Sequence, residues 1–151
     1  MSILLAYIVN NIDILNKKND KISFRESMDL TELPIITLYN GNTKINFLLD
    51  TGSNNSHINK SFLCNLEYEE TEEVRDVVGM EGNTISNNTC NIVVHYKDKE
   101  YKENFVISDL DNAFNVVKEE NGVQLHGILG SRFFEKYSYV LDFADLVAYS
   151  K

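Results

Sequence analysis

Cysteine is scarce: Cys64 and Cys90 are the only two in 151 residues. Two thiols are too few for a disulfide framework, and neither stands in a Cys-x-x-Cys or Cys/His pair with metal spacing. Two reduced thiols, no metal ion and no other cofactor are expected. Proline occurs once, at Pro34, and glycine seven times, which excludes collagen-like and low-complexity chains. No segment approaches the ~20 apolar residues of a membrane span. The opening run Ile3 to Val9 is short and lacks a basic start. Asn10-Asn11-Ile12-Asp13 after it does not read as a cleavage site, so no signal peptide is expected and a cytoplasmic location is. Bases are few, 14 against 23 acids, for a net charge of −9. Such a chain repels a phosphate backbone and an anionic bilayer surface, so neither nucleic acid nor membrane is an expected partner.

What is present fits one globular domain. The hydrophobic share is 43% and the charged share 25%, and a chain of this length buries enough surface for its own core. The polar stretch Asn16 to Lys21 is the best boundary candidate. Residues 1–30 read as an extension that packs on the core or on a partner chain, and residues 31–151 as the domain. From Leu33 onward the pattern is β. Ile35 to Tyr39 and Thr43 to Leu49 flank Asn40-Gly41, a strong hairpin signal because both residues tolerate positive φ. Asn91 to Tyr96 and Glu103 to Ile107 read as further strands around the polar turn Lys97 to Glu100. Only Asn59 to Leu66 and Ser131 to Tyr137 look helical. Many short strands with one or two short helices point to a small all-β barrel or sandwich.

The apolar strand Phe47-Leu48-Leu49 runs straight into Asp50-Thr51-Gly52-Ser53. It delivers one carboxylate to the end of a buried layer. Gly52 allows a sharp turn and close backbone approach, and Thr51 and Ser53 offer hydroxyls to fix the acid. A carboxylate held this way is a candidate for acid–base chemistry. About 75 residues later come Gly127-Ile128-Leu129-Gly130, a helical stretch, and Tyr139-Val140-Leu141-Asp142-Phe143. These two motifs, with the strand pattern between them, resemble the retropepsin-like aspartic proteases over roughly residues 33–150.

That resemblance implies a small closed β-barrel with one catalytic aspartate, Asp50, in an Asp50-Thr51-Gly52 turn. It implies an aspartic endopeptidase that works as a homodimer, because two carboxylates must share one water and the chain has a single Asp-Thr-Gly. Asp142, followed by Phe143-Ala144, reads instead as a turn stabiliser. Thr51 would hydrogen-bond across the two-fold axis, and Ser53 would steady the outer oxygen of Asp50. A flap is implied at Val77 to Thr84, with Gly79 and Gly82 flanking a tip that carries Met80. Met80 and Ile128 would line a cleft for an extended peptide. Apolar residues are then expected around the scissile bond, with clustered Glu and Asp disfavoured by the net charge. The alternative is a non-catalytic peptide-binding or dimerisation module on the same barrel. Ser follows Asp-Thr-Gly where the viral enzymes have Ala, and an insert spans about Asp109 to Gln124. His57, His95 and His126 have no ligand spacing and read as surface or internally satisfied groups. Glu67 to Glu73 reads as a solvated loop, and Tyr137 and Tyr139 as core.

Overall fold

A computed structural model of the chain describes residues 3–5, 20–79 and 81–151. Met80 and much of the 1–30 extension lie outside the described residues. The hairpin expected around Asn40-Gly41 is present as β2 (Ile35–Asn40) and β3 (Thr43–Leu49). Its register runs from Ile35↔Leu48 to Asn40↔Thr43, so the turn proper is Gly41-Asn42. Asn40 is the last strand residue. Its buried amide donates to Val93 O at 2.9 Å and accepts from Glu67 N at 2.8 Å.

Strand β3 pairs in parallel with β8 (Gly127–Leu129), which pairs antiparallel with β4 (Ser56–Asn59). β4 lies parallel to β7 (Lys99–Ser108), and β7 antiparallel to β6 (Thr84–Tyr96). The single pairing Tyr39↔His95 between β2 and β6 closes these six strands into a ring. β5 (Glu69–Val78) hangs on the outside of β6. A second sheet holds β10 (Val147–Ser150) between β1 (Ile22–Ser23) and β9 (Tyr139–Asp142). Among the described residues no helix is long and apolar enough to cross a membrane.

Alternation along β3 explains how the ring is filled. Ile45, Phe47 and Leu49 point inward and are at most 5% exposed. Phe47 stacks on Phe105 with centroids 5.6 Å apart. Leu48, on the other face, joins a smaller cluster built on Ile35, Phe114 and Leu125. The apolar run at the end of β3 is thus covered on both faces. Burying each such side chain contributes about 1.5–3 kcal/mol. Tyr139 is buried in an aromatic cluster with Phe133 and Tyr101, and Tyr137 packs beside it.

The helices and the acidic run differ in part from expectation. The two helical stretches are present as a 3₁₀ helix, Lys60–Asn65, and α3 (Ser131–Lys136). Two more were not expected: α1 (Arg25–Thr31) and α2 (Asp111–Asn121). The insert at 109–124 is therefore mostly helix. Its Leu110, Phe114 and Val117 fall at helical spacing and roof the smaller cluster. The 30/31 boundary falls inside α1, and Ile22 and Phe24 before it belong to the main core. The acidic run is not a loop beyond Tyr68: Glu69 onward is β5, an edge strand. Charged side chains suit an edge, because they discourage pairing with another chain. Both cysteines are free. Burial, helped by the nearby Glu70 charge, pushes the Cys90 thiol up to about 12.

His126 ties β3 to the segment before β8. Its Nδ1 accepts the Asn46 N–H at 2.9 Å, while Phe62 stacks on the ring with centroids 4.0 Å apart. Burial holds its pKa below the usual value. A proton on Nδ1 would displace the Asn46 bond. The folded state therefore binds this proton less readily than the unfolded chain, whose histidine titrates near about 6.5. The stability involved is present above that pH and lost as pH falls through the lower folded-state pKa. Burial shifts His57 the same way, whereas buried Glu103 is raised and contributes in the opposite sense, losing stability as pH rises. His126→Asn keeps an acceptor near Nδ1 without the titration. The urea midpoint is expected to fall less between pH 7 and pH 5 in this variant than in the parent. An equal fall in both would show that His126 is not part of the acid response.

Candidate active site

Asp50 sits one residue beyond β3, where the chain leaves the ring. Its N–H donates to Leu129 O at 3.0 Å, extending the β3–β8 pairing by one bond. The chain then turns. Ser53 N donates to Asp50 O at 3.2 Å, and Gly52 N donates to Asp50 Oδ1 at 3.0 Å. The carboxylate is thereby held by the backbone of its own turn. Thr51 and Gly52 are exposed and Asp50 is half-buried, so the turn presents an open face.

A second segment locks the turn from behind. Ser131 N donates to Ser53 O at 2.7 Å, and Gly130 N to Ser56 Oγ at 3.1 Å. At Gly130 the two segments touch backbone to backbone. A Cβ there would lie 2.4 Å from Asn55 O and 2.7 Å from Ser53 O. The Gly-Ile-Leu-Gly and Asp-Thr-Gly-Ser motifs, which start 77 residues apart in the chain, are thus one structural unit.

Strands β5 and β6 form a long hairpin whose last pair is Val78↔Thr84. In its tip Gly79 N donates to Asn83 O at 2.8 Å and Gly82 N to Gly79 O at 3.0 Å. Gly82 takes φ +81°, a conformation that side chains disfavour.

No family model matches this sequence, and no curated protein matches it. Solved structures do. EIAV protease, in a complex with the inhibitor HBY-793, superposes with a TM-score of 0.52 at 17% identity, over 76% of this chain and 97% of that one. A retropepsin-like aspartic protease from Rickettsia conorii superposes with a TM-score of 0.53 at 20% identity, over 85% and 89%. At these identities the likeness is one of fold. The chain has the retropepsin fold.

Within that retropepsin fold the expected site residues separate into groups. Asp50, Thr51, Gly52 and Ser53 lie in one turn, and Gly79 and Gly82 lie in the tip of the β5–β6 hairpin. Met80 is outside the described residues. Ser53 departs from expectation: its hydroxyl donates to Asn55 O at 2.7 Å, so its recorded contact with Asp50 runs through the backbone. Ile128 is half-buried and packs with the cluster of Ile35, Phe114 and Leu125 under α2. Asp142 caps the turn after β9, accepting from Ala144 N and Asp145 N at 2.9 and 3.0 Å.

His57 lies outside the set of site residues expected from the sequence. It is 9% exposed on β4, with Nδ1 2.9 Å from Ser108 Oγ. Burial lowers its pKa, and the negative charge of Asp50 works against that. Its ring therefore lies within electrostatic reach of the candidate acid. The available signal is its place seven residues after Asp50 in a short β-rich stretch.

Proposed function

We propose that the protein is an aspartic endopeptidase, active as a homodimer, with Asp50 of each copy activating one shared water. The observation that carries this reading is the single Asp50-Thr51-Gly52 turn, seated at the end of β3 in a retropepsin fold, with its carboxylate held by Gly52 N–H. In aspartic proteases two carboxylates about 3 Å apart cannot both ionise. The ionised one takes a proton from the water as it attacks the peptide carbonyl, and the protonated one polarises that carbonyl. One chain provides one such carboxylate, and a two-fold axis provides the second. Thr51, exposed in the single chain, would meet its mate across that axis. The β5–β6 hairpin serves as the flap, with Gly79 and Gly82 letting its tip bend over an extended peptide.

Mass spectrometry of a mixed peptide pool incubated with the purified protein between pH 4 and 7 tests the reading. Cleavage is expected at sites flanked by apolar residues. Activity per chain is expected to fall as the protein is diluted below its dimer dissociation constant. Constant activity per chain through that dilution would refute the homodimer.

A further inference from the structure

A cavity of about 290 Å³ opens between the β5–β6 hairpin, β7 and α3, walled in part by Asn55 and Ser56, which follow the Asp50 turn in the chain. Four of the chain's fourteen basic residues line it: Arg75 from β5, Lys102 from β7, and Arg132 and Lys136 from α3. The gathering runs against the composition, since acids outnumber bases 23 to 14. Among the described residues Arg75 pairs with Glu73 at 3.3 Å, and the other three form no ion pair. Arg75 and Arg132 both donate to one neutral acceptor, Asn55 Oδ1, at 2.8 and 3.0 Å. Two guanidiniums on one amide oxygen leave most of their donors without a protein acceptor. Arg132 and Lys136 are also one helical turn apart, where like charges destabilise a helix.

Glu103 is the one acid on the cavity wall. Its oxygens already accept from Ser56 Oγ at 2.9 Å and Asn104 N at 3.1 Å. At most it offsets one of four positive charges. Asn104, on the same wall, carries a buried side-chain oxygen with no hydrogen-bond partner among the described residues. The cavity thus combines surplus cationic donors with a single acid whose oxygens are already engaged.

We propose that this cavity is a carboxylate-binding subsite for an extended peptide, with Arg132 and Arg75 as the main donors and Lys136 and Lys102 adding charge. The proposal rests on the peptide-cleft reading above and names one selectivity of that cleft. Asn55, on the cavity wall, is five residues from Asp50, which keeps that wall within about 18 Å of the candidate acid along the chain. An extended peptide advances about 3.3 Å per residue. Measured from that wall, the carboxylate sits on the order of five residues from the scissile bond. The net charge of −9 still disfavours acidic peptides at long range. This wall reverses that bias at one position, because short charge-assisted hydrogen bonds outweigh a screened field.

The test measures binding, so that it does not depend on turnover. Decapeptides with an apolar centre and an amidated C-terminus, carrying Glu or Gln at each position in turn, are titrated calorimetrically into the Asp50→Asn protein. A second set bears Gln throughout and a free C-terminal carboxylate. At one distal position Glu is expected to bind about tenfold tighter than Gln. The gap should shrink below about twofold in Arg132→Gln/Lys136→Gln, whose fold is checked by circular dichroism, and should narrow at high salt. A gain confined to the free-acid set would assign the subsite to the peptide C-terminus. Peptides that bind without a Glu preference, or with one untouched by Arg132→Gln/Lys136→Gln, overturn the inference and leave the protease reading standing. A preserved Glu preference in a wild-type protein that cleaves nothing overturns the protease reading alone. No binding by any peptide overturns the inference.

Discussion

Asp50→Asn is expected to remove peptide cleavage by several orders of magnitude while leaving the fold in place. The amide neither takes a proton from the attacking water nor shares one with its mate, so the whole acid–base contribution is lost at once. The fold should survive because the one side-chain hydrogen bond Asp50 makes among the described residues, from Gly52 N to Oδ1, has an equivalent acceptor in Asn. Cleavage rates from the same peptide pool, with circular dichroism on both proteins, supply the measurement. Retention of a tenth of the parent activity would sink the assignment. Asp142→Asn provides the contrast. Its Oδ1 accepts two backbone N–H groups in the turn after β9, so its replacement should register in stability and leave the chemistry alone.

The largest stability loss is expected at Gly130. A single added methyl would stand 2.4 Å from Asn55 O and 2.6 Å from Asn55 C. Both are backbone atoms and cannot swing aside as a flexible side chain would. Gly130→Ala must therefore push the 53–55 segment away from α3, stretching the Ser131–Ser53 bond at 2.7 Å. A cost of about 3 kcal/mol is expected, which lowers the melting temperature of a domain this size by roughly 6–12 °C. The same movement displaces the Asp50 turn, so activity should drop even at temperatures where the variant stays folded. Gly52→Ala is a useful comparison, because the nearest contact of its Cβ is Asp50 Oδ1, a side-chain atom, at 3.2 Å. A melting temperature for Gly130→Ala within 2 °C of the parent would show that the close approach is relieved without consequence.

The parts of the fold that were legible in the sequence are those where local pattern and global position agree. The Asn40-Gly41 signal and the apolar runs beside it place β2 and β3 to within a residue. The two short motifs place the turn and its backstop. Misses occurred where the pattern is weak or tertiary contacts decide. α2 and its N-cap Leu110 turn only Leu110, Phe114 and Val117 to the smaller cluster, with Val116 exposed among many polar residues, and that face matters because Ile35 and Leu48 pack in the same cluster. β5 is built from Glu-rich sequence that extends because β6 offers it a partner. Ser53 shows a limit of another kind. Its proximity to Asp50 follows from spacing, but its choice of Asn55 O depends on a hydroxyl rotation that no spacing encodes. The cationic cavity was invisible for a different reason: Arg75, Lys102 and Arg132 come from three separate elements that only the fold brings together.

The parallel pairing of β3 with β8 has a temporal consequence. Asn46 N and His126 Nδ1 meet across 80 residues, and nearly all of the intervening chain must be in hand before they do. Closing so long a loop is entropically expensive before its contacts form, which places folding on the order of milliseconds to seconds. On a ribosome adding about 5–20 residues per second, the Asp50 turn is made roughly 4–16 s before the segment that seats it. During that interval the carboxylate exists without the Leu129 and Ser131 contacts that orient it. Assembly of the candidate site is thus a late event in the life of each nascent chain, set by the order of its segments.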